Sequence, residues 1–291
     1  VRIPMTANEC ALDSAEIRIS GLKGGHSGAE IDKGRANSSM LLGRVLCALE
    51  QKTPLRVISV SGGLKDNAIP TASVALVAAD AGAVQAVCAE MDAAFKKEYR
   101  VNDPAITVSA RPAESSLLPM DEASSRSAVC LLACLPNGIQ AMSADMPGLV
   151  QTSLNLGILT TDGDAVHASF SVRSSVATQK QMLIDRLRCL TESLGGSVST
   201  HGEYPGWEYM PQSSLRDLMV QVFTDQYGYA PKVEAIHAGL ECGLFSAKLP
   251  GLDCVSFGPD LKEIHTFRES LSVSSVQRVY AMVVETLKRM H

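Results

Sequence analysis

From Ser14 to Leu22 (SAEIRISGL) apolar and polar residues alternate, as they do in a strand with one buried face, and Gly24 and Gly25 end the run. The period then changes. Between 32 and 51, Met40, Leu41, Val45, Leu46 and Leu49 recur at helical spacing, so this stretch is expected to be a helix. Strands are expected at 56–61 and 72–79, on either side of GGLKDNAIP, whose glycines, Asp, Asn and Pro all favour turns. A helix at 83–99 and a short strand at 105–110 follow, so residues 1–110 read βαββαβ.

That order then partly repeats. A helix is expected at 121–135, with Ser124 and Ser125 near its start. Strands follow at about 139–145, 149–159 and 164–174, then a helix at 178–194, and a strand at 197–201 after the Gly195–Gly196 stop. The two halves imply helices layered on one continuous antiparallel sheet. EYPGWEYM at 203–210, which holds the only Trp, marks a break. Beyond it, helices at 212–227, from about 240, and at 272–289 alternate with strands near 232–236 and 253–257. The fold class is therefore α/β, with one domain over 1–203 and part of an α/β layer over 204–291, a stretch too short to bury much core alone.

Composition narrows the function classes. Lys plus Arg total 26 against 31 Asp plus Glu, a formal charge of -5, so the chain offers no basic field for nucleic acid or an anionic membrane. Its apolar runs, such as 72–84, fall short of the ~20 residues that cross a bilayer. The N-terminus VRIPMTANEC shows no initiator Met and no signal-peptide pattern, which suggests a processed product or a piece of something longer. The 8 cysteines include no C-x-x-C pair and lie mostly in apolar runs, so buried reduced thiols and a cytoplasmic location are expected.

There is no H-E-x-x-H, no P-loop, no G-x-G-x-x-G opening a helix and no G-x-S-x-G. Four loop clusters remain, at 21–28, 62–70, 237–243 and 257–267. His26, among glycines at a strand-to-helix junction, suits a developing oxyanion, and equally a turn at the surface. Asn67 suits either an amide donor to substrate or a turn residue. Arg173, in the strand VHASFSVRSS, could grip a carboxylate through two hydrogen bonds or lie on a solvated face. Glu241 follows Gly239 at a helix start, where complementing the helix dipole would also account for it. His265 follows a strand and a Gly-Pro turn, and one histidine makes no metal site, because zinc takes three or four protein ligands.

Taken together, GLKGGHSGAEIDKGRAN at 21–37, GGLKDNAIP at 62–70, SFSVRSS at 169–175, AIHAGLECGLF at 235–245 and SFGPDLKEIHTF at 256–267 resemble the aminoacyl-histidine dipeptidases. These Xaa-His dipeptidases, or bacterial carnosinases, belong to the dinuclear-zinc aminoacylase and carboxypeptidase superfamily. The resemblance implies a lid and dimerisation domain over 1–203, followed at 204–291 by the C-terminal segment of a zinc-binding catalytic domain. It implies a homodimer joined through the lid, two zinc ions per subunit, a dipeptide substrate and metal-activated water. It assigns His26 to catalysis, Asn67, Arg173, Gly239 and Glu241 to substrate binding, and His265 to the metal. Relatives also carry an H-x-D ligand motif, a bridging Asp and a Glu-Glu pair, and this chain has neither H-x-D nor Glu-Glu. The chain therefore reads as a fragment without the N-terminal catalytic segment, with little or no turnover of its own. A non-catalytic dimerisation or binding module derived from such a peptidase is the alternative. A hydrolase built on Ser27 and His26 is a poorer reading, since adjacent residues point apart and no acid orients the imidazole.

Overall fold

The computed structural model describes residues 1–235, 241–263 and 267–290, in two compact units, Val1–Glu203 and Tyr204–His291. The first unit runs β1 (Arg2–Pro4), β2 (Ser14–Ser20), β3 (Gly25–His26), α1 (Ser38–Glu50), β4 (Arg56–Gly62), β5 (Ala68–Ile69), β6 (Ser73–Ala78) and α2 (Ala81–Glu98). It continues with β7 (Thr107–Pro112), α3 (Glu122–Cys134), β8 (Gly138–Met142), β9 (Val150–Asp162), β10 (Ala165–Ser174) and α4 (Ala177–Ser193). One 8-stranded sheet has the order β1-β10-β9-β4-β6-β2-β7, with β8 also paired to β9. All its described pairings are antiparallel, as the α/β reading with a single sheet expects.

Alternation along each strand divides the sheet's two faces. On β2, Ala15, Ile17 and Ile19 enter the core, while Glu16 and Arg18 pair with each other and Glu16 reaches Arg111 of β7. The helices pack side by side in the order α2, α1, α3, α4 and contact the sheet. Leu42, Leu46 and Leu49 of α1 are fully buried, each contributing about 1.5–3 kcal/mol. The α1–α3 crossing is close because Gly43 has no side chain: a Cβ there would stand 2.6 Å from Leu132 O.

Several expected elements are corrected. The helix expected from 32 starts at Ser38, because Gly34 at φ 63 ends a 3-10 turn (Ile31–Lys33) and Asn37 caps the new helix through Ser39 N and Met40 N. The strand expected at 197–201 shrinks to a bridge between Ser197 and Arg2; the rest finds no ladder partner among the described residues. Residues 232–235 and 253–257 are irregular for the same reason, and 236 lies outside the described residues. The thiols are free, but only Cys88 is buried, where desolvation pushes its pKa up to about 11; Cys134 and Cys189 are exposed on helices.

The second unit contains α5 (Ser214–Tyr227), α6 (Glu241–Lys248), a β11 (Leu261–Lys262) and β12 (Ser270–Leu271) ribbon, and α7 (Val273–Arg289). Met219 and Val222 of α5 meet Met282 of α7 in a small core. Asp253 fixes the start of α5 by accepting from Ser213 Oγ at 2.6 Å and Leu215 N at 2.9 Å. Among the described residues no helix is long and apolar enough to cross a membrane.

Candidate functional site

β3 and β5 form a two-stranded ribbon in which His26 opposes Ala68, and Ser27 N donates to Asn67 O at 2.9 Å. The GGHSG and NAIP loops are thereby joined. The turn that carries His26 is closed from both sides: Glu30 N donates to His26 O, and His26 N donates to Glu30 Oε2, each at 2.9 Å. Arg35 pairs with Glu30 at 3.0 Å and donates to Gly24 O. The His26 amide, with Arg35, holds the Glu30 carboxyl below the ordinary carboxylate range.

His26 Nδ1 accepts from the N–H groups of Gly28 at 3.2 Å and Ala29 at 3.1 Å. A ring nitrogen that accepts carries no proton, so the neutral imidazole keeps its proton on Nε2. On an exposed ring this leaves Nε2–H as a donor for a ligand oxygen. Ser27 Oγ, in contrast, is buried without a hydrogen-bond partner among the described residues, so no Ser27–His26 nucleophile pair exists.

Asn67 is exposed on the turn between β4 and β5. The carbonyls on either side of it, Asp66 O and Ala68 O, accept from Asn155 Nδ2 of β9 at 3.1 and 2.9 Å. Asn37, besides capping α1, donates to Asn155 Oδ1 at 3.2 Å and to Leu156 O at 2.9 Å. Asn137 Oδ1 accepts from Leu156 N at 2.8 Å. The turn lies directly on β9 at Gly157, where a Cβ would stand 2.3 Å from Asp66 O. Sequence reasoning missed these supporting asparagines. The signal was a carboxamide in the apolar run SLNLGIL, since a buried amide needs partners.

Arg173 of β10 stands opposite Ser153, two positions from the Ser171–Asn155 pair, so Arg173 and Asn155 share a sheet face. Burial lowers the guanidinium's pKa, and the Asp66 carboxylate raises it in part. Its Nε is buried with no hydrogen-bond partner among the described residues. A donor left in this state suits a ligand carboxylate, which matches the guanidinium's planar fork. The first unit thus links His26 to the Asn67 turn by hydrogen bonds and places Arg173 on the strand face of Asn155, which holds that turn.

In the second unit Glu241 is the exposed first residue of α6, and its charge, after desolvation, helps raise the pKa of Tyr204. Gly239 and His265 lie outside the described residues. Among the described residues no group of three or more His, Cys, Asp or Glu is arranged to hold a metal ion, so these residues do not fit a dinuclear zinc centre by themselves.

The family model of the M20 peptidase dimerisation domain matches residues 17–103. Over 279 residues the chain is 30% identical to the cytosol non-specific dipeptidase of Escherichia coli (strain K12), a match covering 95% of this chain and 58% of that protein. The crystal structure of aminoacylhistidine dipeptidase from Vibrio alginolyticus superposes with a TM-score of 0.91 at 30% identity, covering 99% of this chain and 60% of that one. The chain therefore spans 58 to 60% of the length of these two relatives.

Proposed function

From the membership of this chain in the M20 peptidase family, we propose that the whole protein is a zinc-dependent dipeptidase that hydrolyses Xaa-His dipeptides. The observation that carries the reading is the buried Arg173 Nε, without a hydrogen-bond partner among the described residues, on the strand face of Asn155, which holds the turn tied to His26. In this reading Arg173 takes the substrate's C-terminal carboxylate. His26 donates its Nε2 proton to the oxygen of the scissile carbonyl, where negative charge develops during attack. Asn67 offers its amide to the substrate backbone, and Gly239 and Glu241 are assigned to substrate binding.

His265 is assigned to the metal. The other ligands and the general base belong to chain outside these 291 residues, so the chain alone is expected to turn over little or no substrate. Residues 1–203 serve as the lid and dimerisation domain, and 204–291 as the C-terminal segment of the catalytic domain. The second unit's surface supports its being part of a larger layer: Phe267 is 95% exposed, Val273 72% and Tyr280 70%, around a core of few residues. A homodimer agrees with the match to a dimerisation domain, and a cytoplasmic location with the cytosolic name of the Escherichia coli relative.

The test is hydrolysis of an Xaa-His dipeptide, with zinc content, for this chain beside a protein extended by its upstream coding sequence. Turnover and about two zinc ions per subunit in the longer protein alone support the reading. A longer protein that dimerises without zinc or turnover makes the chain a binding module instead.

A further inference from the structure

We infer that Asn155 is a positioning residue of this site, a side chain that sets the register between the Asn67 turn and the strand face bearing Arg173. The role in binding rests on the dipeptidase reading; the geometry does not. Asn155 is 1% exposed, and both ends of its carboxamide are used. Nδ2 donates to Asp66 O and Ala68 O, bracketing Asn67, and Oδ1 accepts from Asn37 Nδ2. With each hydrogen-bonding end occupied, the amide has one orientation and cannot slide along the turn.

The site elements of the first unit are tied to the segment that Asn155 holds. Ala68 opposes His26 in the β3–β5 ribbon, and Asn67 O accepts from Ser27 N, so a shift of the turn carries the His26 loop with it. Asp66, whose carbonyl Asn155 holds, is the carboxylate that acts on Arg173. On the sheet side, Asn155 opposes Ser171, two residues before Arg173 on β10. Asn37 extends the clamp to the first turn of α1, an element of the buried core. A buried carboxamide that loses its partners is left with its desolvation uncompensated, which keeps the turn in one place.

The prediction separates positioning from general stability. In this chain, Asn155→Ala is expected to speed amide exchange at Ser27 and Ala68 by ~10-fold or more, with exchange in the β2–β6 ladder changed by less than ~2-fold. In the extended dipeptidase the same change is expected to raise KM for the dipeptide by ~10-fold or more while kcat changes by less than ~3-fold. Asn155→Asp supplies a second readout, because its carboxylate opposes both carbonyls when ionised and regains one donor when protonated. Its KM, taken as a ratio to the wild type's at the same pH, is expected to fall toward 1 as pH drops. Unchanged exchange at Ser27 and Ala68 in folded Asn155→Ala overturns the inference, as does equal acceleration throughout the sheet. If Asn155→Ala does not fold, Asn155→Ser is read by the same exchange criterion. An extended wild-type protein without dipeptidase activity sinks the functional reading alone, and the exchange data still decide the positioning role.

Discussion

Asp66 lies near enough to Arg173 for its carboxylate to favour the guanidinium's charge without forming an ion pair, and Arg173 Nε is buried and donates to nothing among the described residues. A carboxylate from a ligand would give this guanidinium a hydrogen-bonded partner. In the extended enzyme, Arg173→Ala is expected to raise KM and lower kcat/KM by ~10²-fold or more, read by steady-state kinetics. Arg173→Lys is expected to recover little, because a point charge does not match the carboxylate's two oxygens. Unchanged kinetics in Arg173→Ala would remove the residue from the site.

His26 is set up as a donor. With Nδ1 occupied by the amides of Gly28 and Ala29, the ring has Nε2–H left to donate, and the proposed dipeptidase mechanism directs it to the oxygen that gains charge in the transition state. His26→Ala is accordingly expected to lower kcat by ~10²- to 10³-fold with a small effect on KM. A change confined to KM would show instead that His26 only binds the ground state.

Glu30 makes the His26 loop sensitive to acid. Its carboxyl lies below the usual range, chiefly because it accepts from His26 N. A carboxyl whose folded-state pKa is lowered adds stability that is present above its unfolded pKa and is lost as pH falls through the folded one. Protection of the His26 amide from exchange should therefore be full at neutral pH and decline on acidification below the ordinary glutamate range. Glu30→Gln is expected to abolish that pH dependence, and a decline that persists in the variant would assign it to another group.

Gly43 tests the helix layer. A methyl group there meets Leu132 O and Cβ at 2.6 to 2.8 Å, and the Leu132 side belongs to a packed helix that yields little. Gly43→Ala is expected to destabilise the first unit by about 1–3 kcal/mol, measured by urea unfolding. A neutral or stabilising result would mean that α1 and α3 separate freely.

The sheet and its helices were readable because burial repeats with the strand or helix period: Ile17 and Ile19 alternate with Arg18, and Leu42, Leu46 and Leu49 line one face of α1. The start of α1 was misread because apolar periodicity does not mark a cap, whereas Gly34 and Asn37 do. Strands of two or three residues, such as Arg2–Pro4 and Gly25–His26, are too short to show any period and exist through their partners. The same holds for the site. His26, Asn67 and Arg173 stood out by residue type and loop context, while Asn37, Asn137 and Asn155 act together only because the fold brings three distant segments into contact.

The most direct measurement compares, in the extended enzyme, an Xaa-His dipeptide with the same dipeptide bearing a C-terminal amide, for wild type and Arg173→Ala. If Arg173 holds the substrate carboxylate, the wild type favours the acid by ~10²-fold or more in kcat/KM and the variant loses most of that preference. If Arg173→Ala still prefers the acid by the wild-type factor, another group holds the carboxylate and the site assembled around Arg173 is wrong.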